Sequence, residues 1–303
     1  MEIHSVQDYI TLLEKLKELY TYDEPIAGSP TFGTQIHIPE FIYRGHGRKS
    51  YKLLPGILRT KNLSEGTQIA EYAQVEYNIL NDFIAETCRF VRNIPENDIP
   101  AWLEIAQHFG APTRLLDFTE NPLVALYFAC CEANEEDACV WIVNNPEYFR
   151  WLQGIPTVVL ESTSRAVVDD VIRTQIVGQY TNTANNGCVQ SPWIYKPHYR
   201  EERMNMQASV FMLWGWDNRP LTEMICQADI IKDVKVDNRE HGLIGCIEIQ
   251  AKDKKTILKQ LSLCGISENI FILELMERES ILRANTHILG KEENDACSAN
   301  GSV

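Results

Sequence analysis

Positive charge is scarce in this sequence: 28 Lys and Arg stand against 42 Asp and Glu, a formal charge of -14. Broad electrostatic binding to nucleic acid or to an anionic membrane depends on surface Lys and Arg, so neither a broad nucleic-acid surface nor a membrane surface is expected. A local basic pocket remains open. No stretch approaches the roughly 18 consecutive apolar residues of a membrane span. The opening MEIHSVQDYI carries acids where a signal peptide carries bases, and the expectation is a cytoplasmic protein. Nine cysteines contain no C-x-x-C pair, and Cys130-Cys131 lie side by side in an apolar run. That pattern indicates neither a zinc site nor a disulfide framework, and no metal ligands are assigned. The nucleotide, hydrolase and zincin signatures G-x-x-x-x-G-K-S/T, G-x-G-x-x-G, G-x-S-x-G and H-E-x-x-H are absent, as are internal repeats.

What is present centres on AQHFGAPTRLLDFTENPLVALYFACC, residues 106–131. Trp102, Ile105, Ala106 and Phe109 repeat at helical spacing, Gly110 supplies the left-handed residue that stops a helix, and Pro112 forbids continuation. A compact polar turn over Thr113 to Thr119 is expected next. Asn121-Pro122 reads as an N-cap and first helical position. The helix that follows, Leu123 to Cys131, is apolar on every face, the pattern of a helix covered all round by protein. Arg114 and Asp117 in the turn are residue types rarely buried unless paired, so they are expected to pair or to bind a ligand.

Elsewhere, Ser5 to Asp8 has the form of a capping box, and Tyr9, Ile10, Leu13 and Leu16 then mark an amphipathic helix. Prolines and glycines from Thr21 to Pro39 read as a loop before a short strand, Glu40 to Tyr43. Arg44-Gly45-His46-Gly47-Arg48 follows at its end, where two glycines expose backbone to a ligand. The competing reading is a turn with surface arginines. Tyr51 to Leu58 reads as a short extended piece closing on Arg59. Gln68 to Arg92 is a long helix with an apolar stripe, which is core far more often than a cofactor site. Strands are expected at Ala138 to Val143, Thr157 to Leu160, up to Trp214 and at Leu243 to Ile249. Helices are expected at Ser164 to Gly178, Lys254 to Leu263 and Glu268 to Leu282. The composition suffices for one elaborated domain or two intimate ones. The fold class is α+β (mixed α/β), with a mostly antiparallel or mixed central sheet flanked by helices.

Tyr43-Arg44-Gly45-His46 together with Gln107, His108, Gly110, Pro112, Thr113, Arg114, Leu115, Leu116 and Asp117 resembles the FRG domain. That family has a Phe/Tyr-Arg-Gly motif and a Gln-His-x-Gly-x-Pro-Thr-Arg-Leu-Leu-Asp segment. Phe118 stands where the family usually shows tryptophan, and His46 where glutamine is common. Leu53, Pro55 and Arg59 are similar to its Leu-x-Pro-x-x-x-Arg piece, and Arg203 with Gln207 before a phenylalanine strand to its third piece. The resemblance extends from about Phe41 to the helix near Glu274 and implies a single FRG-type domain over residues 1–290 with an N-terminal helix and a long central insertion. Residues 291–303, polar and small without periodicity, are expected to be disordered. The resemblance also raises Arg44 above the surface-arginine reading.

The order of these parts is similar to that of ADP-ribosyltransferases, in which an arginine near the first strand holds NAD phosphates, a Ser/Thr turn braces the nicotinamide pocket and a later Glu or Gln directs transfer. This likeness implies NAD as cofactor-like substrate and a nucleotide site made by Arg44, Gly45, His46, His108, Thr113, Arg114, Thr119 and Arg203. Gln207, Glu248 or Asp117 would take the catalytic position, acting on an unknown macromolecular target in bacterial defence or as a toxin. Arginine presents a rigid fork to a pyrophosphate, which suits that role. Two alternatives stand beside it. One is a metal-dependent nuclease or phosphodiesterase using His108, Asp117 and Glu120, although His108 at a helix C-terminus reads more readily as a structural histidine. The other is a non-catalytic phosphate or nucleotide-binding module.

Overall fold

The computed structural model describes residues 2–25, 34–37, 39–59, 69–88, 91, 94–95, 97–132, 135–144, 192–197, 208–215, 217–226 and 244–268. The expected elements at Thr157 to Leu160, Ser164 to Gly178 and Glu268 to Leu282, the tail, and both Arg203 and Gln207 lie outside the described residues.

Helix α1 (Val6–Tyr20) begins as the capping box requires, with the Ser5 hydroxyl accepting from the Asp8 N–H at 3.1 Å. Within the proline- and glycine-rich stretch after it, expected as a loop, the described residues include two strands. Strands β1 (Tyr22–Pro25) and β2 (Thr34–His37) pair antiparallel, and Pro25 sits at the end of its strand, where its missing N–H does least harm.

The main sheet is antiparallel throughout, in the order β6-β7-β4-β3-β5-β8, and establishes the α+β class. Its strands are β3 (Phe41–His46), β4 (Leu115–Thr119), β5 (Ala138–Asn144), β6 (Trp193–Tyr195), β7 (Ser209–Leu213) and β8 (Ile244–Ile249). Strand β3 runs past the expected end at Tyr43, because Arg44, Gly45 and His46 pair with Trp141, Val140 and Cys139 of β5. The expected polar turn over 113–119 is likewise corrected: five of its residues form β4, paired along its length with β7. Its apolar residues Leu115, Leu116 and Phe118 are all buried in the sheet's packing, which outweighs the turn-like polar spacing.

Helices α2 (Ile69–Thr87), α3 (Ile99–His108), α4 (Pro122–Cys131), α5 (Leu221–Cys226) and α6 (Ala251–Leu263) flank the sheet. Among the described residues no helix is long and apolar enough to cross a membrane. One core gathers α1, α4 and α6 against Phe41, Tyr43, Val140, Ile142, Ile247 and Ile249. A second joins Ile42, Leu116, Phe118 and Met212 to Leu53 and α5. Gly110, at φ +83°, ends the α3 region as a left-handed residue should.

Helix α4 departs from the expectation of complete burial on one side. Val124, Ala125, Leu126, Ala129 and Cys130 are buried, whereas Leu123, Tyr127, Phe128 and Cys131 are half-buried. Part of its apolar surface is spent on a cavity instead of on core. Burial pushes the Cys130 thiol up to about 12 and the Cys131 thiol up to about 11.

One irregularity positions everything that follows. Strand β3 is paired with β5 at six positions but with β4 at one, Tyr43 opposite Thr119. The two central strands diverge beyond that point.

Candidate functional site

A cavity of about 580 Å³ opens where β3 and β4 part, lined by both strands, by α4 and by the ends of α3 and β7. Arg44 crosses the divergence. Its Nη1 donates to the Asp117 carbonyl oxygen at 2.5 Å, satisfying a backbone acceptor that a regular ladder would have satisfied from β3. Its Nε donates to His46 Nε2 at 3.0 Å, and Nη1 lies 3.8 Å from Asp117 Oδ2. Burial draws the Arg44 pKa down; Asp117 opposes that shift and nearby Arg59 adds to it.

His46 is a neutral acceptor in this arrangement. Burial, then the adjacent Arg44 charge, pulls its pKa down to about 3, against a smaller opposing effect of the Tyr51 backbone. With Nε2 accepting, the ring proton resides on Nδ1. His46 therefore fixes Arg44.

Asp117 is held from the other direction by a directional chain of hydrogen bonds. The Leu115 N–H donates to Thr113 Oγ1 at 3.1 Å, Thr113 Oγ1 donates to Gln107 Oε1 at 2.5 Å, and Gln107 Nε2 donates to Asp117 Oδ2 at 2.5 Å. The Asp117 side chain is 52% exposed, on the wall of the cavity. His108, Thr119, Lys52 and the exposed Arg59 line the same space, and Ser209 enters it from the first residue of β7. Thr119 also accepts from the Asn121 N–H at 2.9 Å, at the approach to the N-cap of α4.

Tyr43-Arg44-Gly45 and the 107–117 segment thus form opposite walls of a single cavity. A family model, FRG domain, matches residues 39–138, and those walls lie within it. The chain carries an FRG domain. Neither the curated proteins nor the solved structures provide a match.

Not every motif residue of the FRG domain faces the cavity. Arg114, expected at the nucleotide, is buried and committed to α2: its Nε donates to Glu76 Oε2 at 2.6 Å, its Nη2 pairs with the same oxygen, and its backbone N–H donates to Glu76 Oε1 at 3.1 Å. The expected pairing of Arg114 with Asp117 does not occur. The two are three positions apart in extended chain, and alternation turns them to opposite faces. Gly45 also lines the cavity, but its lack of a side chain is required on the helix side. A Cβ there would stand 2.6 Å from Ala129 N and 3.0 Å from Ala125 C, so α4 approaches β3 only because the residue is glycine. Thr113 reaches the site through Gln107.

Glu248 lies on β8, exposed and ion-paired with Lys49, away from the cavity lining. Among the described residues no three His, Cys, Asp or Glu side chains gather in a way that could hold a metal ion.

Sequence reading passed over three participants. Gln107 was visible within the motif but had no role before its hydrogen bonds were seen. Glu76 stands in the stripe Tyr72, Glu76, Leu80, Phe83, and Lys254 in the stripe Lys254, Ile257, Leu261. A charge set into an apolar helical stripe is the signal, because such a position is buried and its charge needs partners. Lys254 Nζ donates to the Gly47 and Glu132 carbonyls at 2.7 and 2.9 Å, tying α6 to the turn after β3 and to the end of α4. Both tethered residues line the cavity.

Proposed function

We propose that the FRG-domain cavity binds NAD and catalyses ADP-ribosyl transfer or NAD hydrolysis. The observation that carries this reading is the convergence of Arg44 from β3, Thr119 from β4 and Ser209 from β7, three neighbouring strands, on one cavity of about 580 Å³. Arg59 is close enough to Arg44 for its charge to help draw the Arg44 pKa down, and Arg59 makes no ion pair among the described residues. A pyrophosphate between two guanidiniums relieves that repulsion and uses their fork geometry. A volume in this range accommodates a nucleotide-sized ligand.

In this reading the glycosidic C–N bond of NAD breaks, nicotinamide leaves with the bonding electrons, and water or a target nucleophile adds to the anomeric carbon and gives up a proton. The catalytic amide is Gln207, which precedes Ala208 in the chain. Ala208 has φ 45°, and its carbonyl accepts from the Glu120 N–H at 3.0 Å. A non-glycine residue in the left-handed region costs of order 1 kcal/mol and is concentrated at functional sites. A role in bacterial defence or as a toxin belongs to the same proposal.

The deciding experiment is incubation of purified protein with labelled NAD, reading nicotinamide release and label transfer. Release is expected from the wild type and lost in both Arg44→Ala and Arg59→Ala. Arg59→Ala is the control for folding, since Arg44 also fastens the sheet. A melting-temperature shift with NAD but no turnover makes the domain a binding module, and the absence of both refutes the reading.

A further inference from the structure

Asp117 is an exposed carboxylate on the side of the cavity that also presents Arg44, Arg59, His108 and Lys52, with Glu132 at the end of α4 the other exposed carboxylate of the lining, and the contacts of Asp117 are unequal. Oδ2 accepts from Gln107 and faces Arg44, while Oδ1 makes no hydrogen bond among the described residues. The orientation of the Gln107 amide follows from its neighbours. The Asp117 carboxylate only accepts, so the Gln107 NH₂ faces it and the amide oxygen is left for Thr113, whose hydroxyl donates to that oxygen while accepting from the Leu115 N–H. A three-bond relay rooted in the backbone of β4 thereby fixes which way a side chain in the cavity turns.

Gln107, Asp117 and Arg59 also form the shared boundary with an adjoining cavity of about 410 Å³, whose other walls come from Gly56 and Gly110 to Pro112. Asp117 therefore stands where the two spaces meet, with Arg59 lining both and Arg44 Nη1 3.8 Å from its Oδ2. An acceptor-only oxygen beside paired guanidiniums suits a group that offers an O–H a few ångströms from an anion.

We infer that Asp117 recognises a sugar hydroxyl, that Gln107 is the positioning residue that aims it, and that the fragment taken is a ribose phosphate, with its phosphate on Arg44 and Arg59. This rests on the phosphate site of the proposed function and adds to it the selection of ribose over a deoxy sugar. No transfer step is needed for it to hold.

The test uses ribose 5-phosphate and its 2-deoxy and 3-deoxy analogues, titrated into the full chain and followed by amide chemical-shift perturbation. The wild type is expected to bind ribose 5-phosphate about tenfold more tightly than at least one deoxy analogue, the usual effect of one hydrogen bond to a charged group. Gln107→Leu is expected to lose that preference while binding the deoxy analogue as the wild type does. Thr113→Ser, which retains the hydroxyl, keeps it. A residue that served folding alone would weaken all three sugars together. No preference in the wild type, or equal weakening of every sugar in Gln107→Leu, overturns the inference and leaves the phosphate site standing. Failure of all three to bind overturns both.

Discussion

Replacing Glu76 by alanine is expected to destabilise the protein by about 3–5 kcal/mol, the range for breaking a buried ion pair from one side. The size follows from what Glu76 does. Arg114 is 0% exposed and Glu76 1%, so neither charge has water to fall back on. One carboxylate serves the Arg114 Nε, Nη2 and backbone N–H, and its removal takes all three bonds from a segment whose carbonyl also receives the Trp214 N–H at 3.0 Å. A domain of ordinary stability has about 5–15 kcal/mol in total, so the loss would consume a large share of it. Urea denaturation followed by circular dichroism and tryptophan fluorescence measures it. The double replacement Glu76→Leu with Arg114→Met removes both charges and should recover most of the loss, because the cost lies in the stranded guanidinium. A loss below about 1 kcal/mol in Glu76→Ala, or a double variant no better than the single, refutes the account of Arg114 as a structural charge.

Two further outcomes follow from the cavity walls. Gly45→Ala should cost at least about 1–3 kcal/mol by overpacking, since the new Cβ meets the backbone of α4; thermal denaturation reads this, and an unchanged melting temperature would show that the helix yields freely. His46, with its folded pKa pulled down to about 3, stays neutral while the unfolded chain takes up a proton below its ordinary value near 6.5. Its contribution is thus fully present above 6.5 and is lost as pH falls towards 3, at up to about 1.4 kcal/mol per pH unit. His46→Gln keeps an acceptor for Arg44 and should flatten that slope in urea titrations at pH 4 to 6.5. A slope unchanged by the substitution refutes the neutral-acceptor role.

The helices were legible in the chain because apolar spacing and caps are local. Ser5, Asn121-Pro122 and Gly110 mark ends that the structure reproduces. Strand β4 was not legible as a strand, because its extended form depends on partners almost a hundred residues away in β7, and a single sequence carries no record of that pairing. The same gap decided Arg114 and Asp117. Read as a turn they belong together; in extended chain they diverge, one to Glu76 and the other to the cavity. Arg44 was read as a site residue at the end of its strand, and it lines the cavity, but its role in the sheet depends on where β3 and β4 separate.

That separation leaves the sheet as two leaves, β6-β7-β4 and β3-β5-β8, laced by one backbone rung and one guanidinium. Arg44 is a fastener, and under the proposed function it also holds the anion, so that the two duties draw on the same N–H groups. An anion that engages it alone competes with the lacing, whereas one that also engages the β4 leaf replaces the stitch it loosens. The cohesion of the sheet and the occupancy of the cavity are then a single linked equilibrium.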